Sequence, residues 1–385
     1  MKPRPYPTVK LKDICECIDY GYTVSAIHEP VGPRFLRITD IVPDHLEWSS
    51  VPFCHIESSK REKYFLRSGD IVIARTGATT GWSKFIKEAP DAVFASYLVR
   101  LRTNQSVNAR YVGFVVESQI YKNFVHQHIG GAAQPNANAQ ILTSYQLPLP
   151  PLHVQHRIAG ILSAYDELIE NSQRRIKILE EMARSLYREW FVNFRFPGHQ
   201  KVPLTDSPLG PIPKGWEVKK LGDILELNYG KALKKGERRD GEFPVFGSSG
   251  IVGYHDAYLV NGPGIIVGRK GNVGSVFWSD EGFFVIDTAY FVTSSLPLRF
   301  LFYVLPTLNF INSDAAVPGL SRNQAYSLEI LVPAANLLSR FCELADTFER
   351  QALTLQRKLQ NLRRTRDLLL PRLLSGQLEP PAVAA

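Results

Sequence analysis

The chain has 385 residues, 44% of them hydrophobic, which is long for one domain and sufficient for two cores. Lys and Arg number 45 against 37 Asp and Glu, a formal charge of +8 that favours an anionic partner without reaching ribosomal or chromatin-like charge density. The four cysteines, Cys15, Cys17, Cys54 and Cys342, have irregular spacing and form neither a disulfide framework nor paired zinc-finger ligands, so a reducing, cytoplasmic setting is expected.

The N-terminal stretch "MKPRPYPTVKLKD" lacks an apolar core of signal-peptide length, and no later run approaches a membrane span, so a soluble protein is expected. Next come "VKLKDICECIDYG" (9–21) and then "DIVIAR", "AVFASYLVRLR" and "YVGFVV", which read as strands separated by Gly, Thr and Asn clusters. "GDIVIARTGATTG" (69–81) is a strand followed by a tight turn. "NANAQILTSYQLPLP" (136–150) then leads into a long helix, on which Ile158, Leu162, Tyr165, Ile169, Ile176, Leu179, Ala183, Leu186 and Trp190 form a heptad seam interrupted only by Ser172.

"RFPGHQKVPLTDSPLGPIPKGWE" (195–217) contains prolines and glycines that forbid a continuous helix and mark a linker. Beyond it "FPVFG", "GIIVGR", "SVFW" and "FFVIDTAYFV" read as strands, and "SRNQAYSLEILVP" (321–333) opens a second long helix. Its seam is Phe341, Ala345, Phe348, Ala352, Leu355, Leu359, Leu362, Leu369 and Leu373, with Arg366 as the interruption.

These elements repeat. "VKLKDICECIDYG" lies over "VKKLGDILELNYG" (218–230), so that Leu11 meets Leu221, Asp13 meets Asp223 and Tyr20-Gly21 meets Tyr229-Gly230. Arg75 and Gly77 fall on Arg269 and Gly271, Tyr97 on Tyr290, "AAQP" (132–135) on "AAVP" (315–318) and Pro150 on Pro333. The common order of the matches implies an internal duplication.

The fold class expected is therefore α/β (α+β): two similar globular domains separated by two long antiparallel helices forming a coiled coil, related by an internal pseudo-twofold. The boundaries read as domain 1 over 1–152, a central helix over 153–196, a linker over 197–213, domain 2 over 214–333 and a C-terminal helix over 334–378. A helix of about 34 residues spans about 50 Å, and about 15 base pairs of duplex as an upper limit.

Two similar heads on a spacer suit an asymmetric, interrupted DNA site. Candidate contacts in the second half are Lys231, Lys234, Lys235, Arg238 and Arg239 of "YGKALKKGERRDG", with Arg269, Lys270 and Asn272 of "GRKGNVG". The first half offers Arg75, Thr76, Thr79, Thr80 and Lys84 of "ARTGATTGWSK". Basic side chains on glycine turns can clamp phosphates, and Arg can read guanine edges. Asn136, Asn138, Gln140, Arg322, Asn323 and Gln324 could hydrogen-bond bases or cap short helices.

No catalytic or metal residue stands out. "LPPLH" and "EPPAV" lack the aromatic that an adenine amino-methyltransferase motif needs after its prolines, and no methyl-donor loop, phosphate loop or HExxH is present. The histidines at 126, 128, 153 and 156 have ligand-like spacing without partnering Cys or carboxylates. A stand-alone DNA methyltransferase or endonuclease, and a coiled-coil scaffold whose heads bind proteins, are the alternative classes.

The order of domain, "LPLPPLHVQHRIAGIL", helix, "PLGPIPKGWEVKKLGDI", domain, "ILVPAANLL" and a helix ending "LLLPRLLSGQLE" resembles the specificity subunit of type I restriction-modification systems over essentially the whole chain. The resemblance implies that each domain is a target-recognition domain reading half of a bipartite site in double-stranded DNA. It also implies that two methyltransferase and two motor-nuclease subunits dock around the helices. S-adenosylmethionine, ATP and Mg would then belong to those partners, with no cofactor in this chain. It carries over no base-reading residue.

Overall fold

The computed structural model describes residues 6–129, 136–310 and 319–380. The "AAQP" and "AAVP" matches lie outside these residues. The chain divides into two compact units, the first made of 1–173 with 357–385 and the second of 174–356.

In the first unit the strands are β1 (Thr8–Lys10), β2 (Cys15–Tyr20), β3 (Arg34–Leu36), β4 (Ile71–Ala74), β5 (Ser83–Phe85), β6 (Ala92–Phe94), β7 (Leu98–Thr103) and β8 (Gln146–Pro148). Its helices are α1 (Ile38–Ile41), α2 (Ser58–Tyr64), α3 (Ala109–Glu117), α4 (Gln119–His128), α5 (Ala139–Thr143) and the first part of α6 (Leu152–Tyr187). An antiparallel sheet runs in the order β2-β7-β4-β5, with β3 parallel to β6 and β1 antiparallel to β8.

The second unit holds β9 (Leu204–Thr205), β10 (Ile212–Pro213), β11 (Glu217–Lys220), β12 (Leu225–Tyr229), β13 (Phe243–Gly247), β14 (Gly250–His255), β15 (Gly264–Gly268), β16 (Val276–Ser279), β17 (Phe284–Val285), β18 (Ala289–Ser294) and β19 (Glu329–Val332). With them are α7 (Leu298–Val304), α8 (Arg322–Ser327) and the first part of α9 (Ala335–Leu374). The sheet order is β12-β18-β15-β16, with β13 parallel to β17 and β11 antiparallel to β19. The four-stranded sheet, the parallel pair and the terminal antiparallel pair repeat those of the first unit, with β14, antiparallel to β13, and the β9–β10 pair added, so the duplication read from the sequence is a duplication of fold.

Three strand assignments need correction. "YVGFVV" is helical, within α3. Its run of buried Tyr111, Val112, Phe114, Val115 and Val116 fits a buried strand as well as a buried helix, and the Asn108 side chain, accepting the Tyr111 N–H at 2.9 Å, starts the helix. "AVFASYLVRLR" and "FFVIDTAYFV" each break into two strands that belong to different sheets, β6 and β7, and β17 and β18. The segment read as a linker is folded too, with a short β9–β10 pairing and with Phe196, Ile212 and Trp216 buried in the core of the second unit.

Within each unit the long helices meet. In the first, Ile158 and Leu162 of α6 share a core with Leu373 and Leu374 of α9, and Asp166 accepts from Arg366 at 2.9 Å. In the second, Ala183 of α6 and Trp190 of the wider helical turn that continues it (Arg188–Val192) share a core with Phe341 and Ala345 of α9, the Trp190 and Phe341 rings standing 6.3 Å apart. Early α6 thus faces late α9, and late α6 faces early α9, so in each unit the two helices run antiparallel. Ile158, Leu162, Ile169, Ala183, Phe341, Ala345, Ala352, Leu355 and Leu373 are buried, and Tyr165, Ile176, Leu179, Leu186, Phe348, Leu359, Leu362 and Leu369 are half-buried. Ser172 is also buried, its hydroxyl turned back to the Leu168 carbonyl at 2.7 Å, so the seam continues through its one polar residue.

Each unit also ties its globular part to a long helix through an arginine. Arg110 on α3 lies 3.8 Å from the Phe114 ring centre and pairs with Asp166. Arg299 on α7, at the same place in its unit, lies 3.7 Å from the Trp278 ring centre and pairs with Asp346 at 2.7 Å.

Candidate nucleic-acid interface

The repeated Tyr-Gly pair ends β2 in one unit and β12 in the other, for a steric reason. A Cβ at Gly21 would stand 2.2 Å from the Ala95 carbonyl oxygen, and one at Gly230 would stand 2.2 Å from that of Ile286. Only glycine lets the strand end cross so close to the neighbouring backbone. The tyrosine before it stays exposed, 41% at Tyr20 and 48% at Tyr229, where a purely structural residue would be covered.

The Arg-x-Gly turn supplies the partner. Gly77 and Gly271 have φ of 81° and 77°, left-handed values that fit the tight turn after β4 and β15. This turn holds the Arg75 guanidinium 4.8 Å from the Tyr20 ring centre and the Arg269 guanidinium 4.8 Å from that of Tyr229. In both units the arginine carbonyl accepts at 2.8 Å from the chain entering the next short helix, Ala137 N–H in one and Leu320 N–H in the other. Thr76 bridges to Asn136, and Lys270 to Gly319.

The two copies are furnished differently. In the first, Arg75 donates to the Asn136 side chain at 3.2 Å, and the Tyr20 hydroxyl accepts from Ala139 N–H at 2.9 Å. In the second, Arg322 takes the place of Ala139 as the first residue of the short helix and lies 4.2 Å from the Tyr229 ring centre. Arg269, Lys270, Arg322 and Asn323 there line one cleft with Tyr229, Tyr290 and Tyr326. Hydrogen bonds from Arg322 and Tyr290, with the charges of Arg322 and Arg269, hold the Tyr229 phenol below the usual tyrosine range.

The other candidates are placed elsewhere. Lys231, Lys234, Lys235 and Asn272 are exposed but do not line this cleft. Arg238 donates to the Val252 carbonyl at 2.6 Å and Arg239 pairs with Asp256 at 2.9 Å, so these two brace their loop against β14 and the residue after it. Lys84 is turned inward, donating to the Pro43 and Asp44 carbonyls at 2.7 and 3.0 Å, and burial pulls its ammonium below the usual lysine range. Thr80 is buried with its hydroxyl on the Gly77 carbonyl, and the backbone of Thr79 accepts from Trp82 N–H. Both therefore serve the turn. Asn138 caps α5, accepting from Ile141 N–H at 2.8 Å. The tyrosines were missed as site residues although Tyr20, Tyr97, Tyr229 and Tyr290 mark the repeat. The signal was an aromatic kept in both copies at a strand end next to an obligatory glycine.

No group of three or more His, Cys, Asp or Glu among the described residues is placed to hold a metal, and no described helix is long and apolar enough to cross a membrane.

The sequence profile of the type I restriction modification DNA specificity domain matches residues 3–181 and again 213–336. The type I restriction enzyme MjaIX specificity subunit of Methanocaldococcus jannaschii is 25% identical, over 71% of this chain and 69% of its own. The type I restriction enzyme HindI specificity subunit of Haemophilus influenzae is 21% identical, over 84% of this chain and 91% of its own. Among solved structures, the S subunit of a type I restriction-modification system from M. genitalium has the same fold, with a TM-score of 0.64 at 16% identity, over 100% of this chain and 98% of that one. With its profile matched twice, once on each copy of the duplicated fold, the chain belongs to the type I restriction-modification DNA specificity family.

Proposed function

We infer that this chain is the DNA sequence-specificity subunit of a type I restriction-modification assembly, without catalytic residues of its own. Each unit reads one part of a bipartite, asymmetric site in double-stranded DNA, and the paired helices set the gap. The observation that carries this reading is one frame built twice: an exposed tyrosine, a stacked arginine and a glycine turn, fitted with different side chains in the two units. A shared frame explains how both heads meet the same polymer, and different fittings explain how they prefer different sequences.

Two methyltransferase and two motor-nuclease subunits complete the assembly in the cytoplasm and carry S-adenosylmethionine, ATP and Mg. Exposed apolar side chains on the long helices support docking there: Leu168 and Leu368 in the first unit, Ile178, Met182 and Leu344 in the second. Co-expression with a methyltransferase subunit, followed by sequencing for modified adenines, tests this. A two-part motif separated by a fixed gap is expected. Methylation by the purified chain alone, or DNA binding that does not change with salt, would overturn it.

A further inference from the structure

The cleft of the second unit carries three cations, Arg269, Lys270 and Arg322, and none of the ion pairs among the described residues involves any of them. Both arginines are fixed in place. Arg269 donates to the Asp287 carbonyl at 3.1 Å and Arg322 to the Leu227 carbonyl at 3.3 Å, while both guanidiniums lie within 4.8 Å of the Tyr229 ring centre. Like charges held this close repel one another, and among the described residues no carboxylate lines the cleft to offset them, so an anion supplied from outside would relieve the repulsion. Two rigid forks and a flexible ammonium converging on one space fit a tetrahedral oxyanion better than a flat base edge, which engages a single fork. The same positions in the first unit hold Thr76 and Ala139, leaving Arg75 as the only cation of the three.

Resting on the DNA-reading function above, we propose that the second unit is the chain's electrostatic anchor, its cleft seating a backbone phosphodiester between Arg269, Lys270 and Arg322. The first unit contributes correspondingly little salt-dependent affinity at this place.

The experiment is a salt series of DNA binding by the full chain, compared with Arg322→Ala, Lys270→Thr and their combination. These changes install what the first unit already carries on the same frame, so they preserve the fold. The slope of log affinity against log salt should fall by about 1 for each cation removed, and affinity should drop alike on target and unrelated DNA. Arg75→Ala should change the slope by no more than about 1. An unchanged slope overturns the proposal, and so does a loss confined to one base of the target, which would make Arg322 a base reader. Titration with inorganic pyrophosphate, followed through tyrosine absorbance, separates the two levels of the argument. Pyrophosphate binding that is lost in Arg322→Ala and that DNA does not displace would keep the anion site and sink the DNA reading. Binding unaffected by Arg322→Ala would sink the site itself.

Discussion

Gly230 shows how a single residue can decide whether a site exists. Any side chain there meets the backbone carbonyls of Ile286 and Val285, which cannot swing aside as a flexible side chain could. Gly230→Ala should cost about 3 kcal/mol of stability, measurable by denaturant unfolding, and should displace Tyr229 from its arginines. Tyr229 adds a pH dependence whose sign follows from its surroundings. Its phenol is depressed by Arg322, Tyr290 and Arg269, with Lys270 and Tyr326 also lining the cleft. The folded state therefore favours the phenolate, stabilising the fold fully above the ordinary tyrosine value and losing that gain as pH falls through the lowered one. For an anionic ligand the effect is reversed, because the phenolate takes up the charge of Arg322. DNA affinity should weaken as pH rises towards the ordinary tyrosine range, and Tyr229→Phe should flatten that decline. At this scale the sequence was readable where a residue recurs for steric reasons, as with Tyr-Gly and Arg-x-Gly. It was unreadable for Lys84, Arg238 and Arg239, because a basic side chain looks the same whether it faces solvent or a carbonyl of its own chain.

Among elements, the long helices were legible throughout because their apolar spacing is sustained over many turns, and all the seam residues are buried or half-buried. The small Ala345, fully buried against the aromatic cluster around Phe341, sets how closely the helix packs. Ala345→Leu should overfill that position and cost about 1 to 3 kcal/mol in thermal or denaturant unfolding. The short apolar runs were less legible, as α3 shows. A run buried on every side carries no periodicity, and only the cap at Asn108 distinguishes helix from strand. Likewise the break between β6 and β7 is a matter of which sheet each half joins, a pairing between distant segments that local sequence does not encode.

The molecule as a whole holds two principal cores of matching plan, and each is completed by residues remote in sequence. Phe341→Ala should remove about 3 to 5 kcal/mol from the second core. Amide exchange should then rise across β12, β15 and β18 while protection of β2, β4 and β7 persists. Equal loss in both units would show that they unfold as one. Tyr111, Leu162 and Leu373 lie in the first core although more than half the chain separates the last from the other two. A ribosome adding about 5 to 20 residues per second would need roughly 10 to 40 s to get from Leu162 to Leu373. The half of the protein made first is therefore the half that finishes folding last, and during that interval its unfinished apolar surface would be exposed to chaperones on the nascent chain.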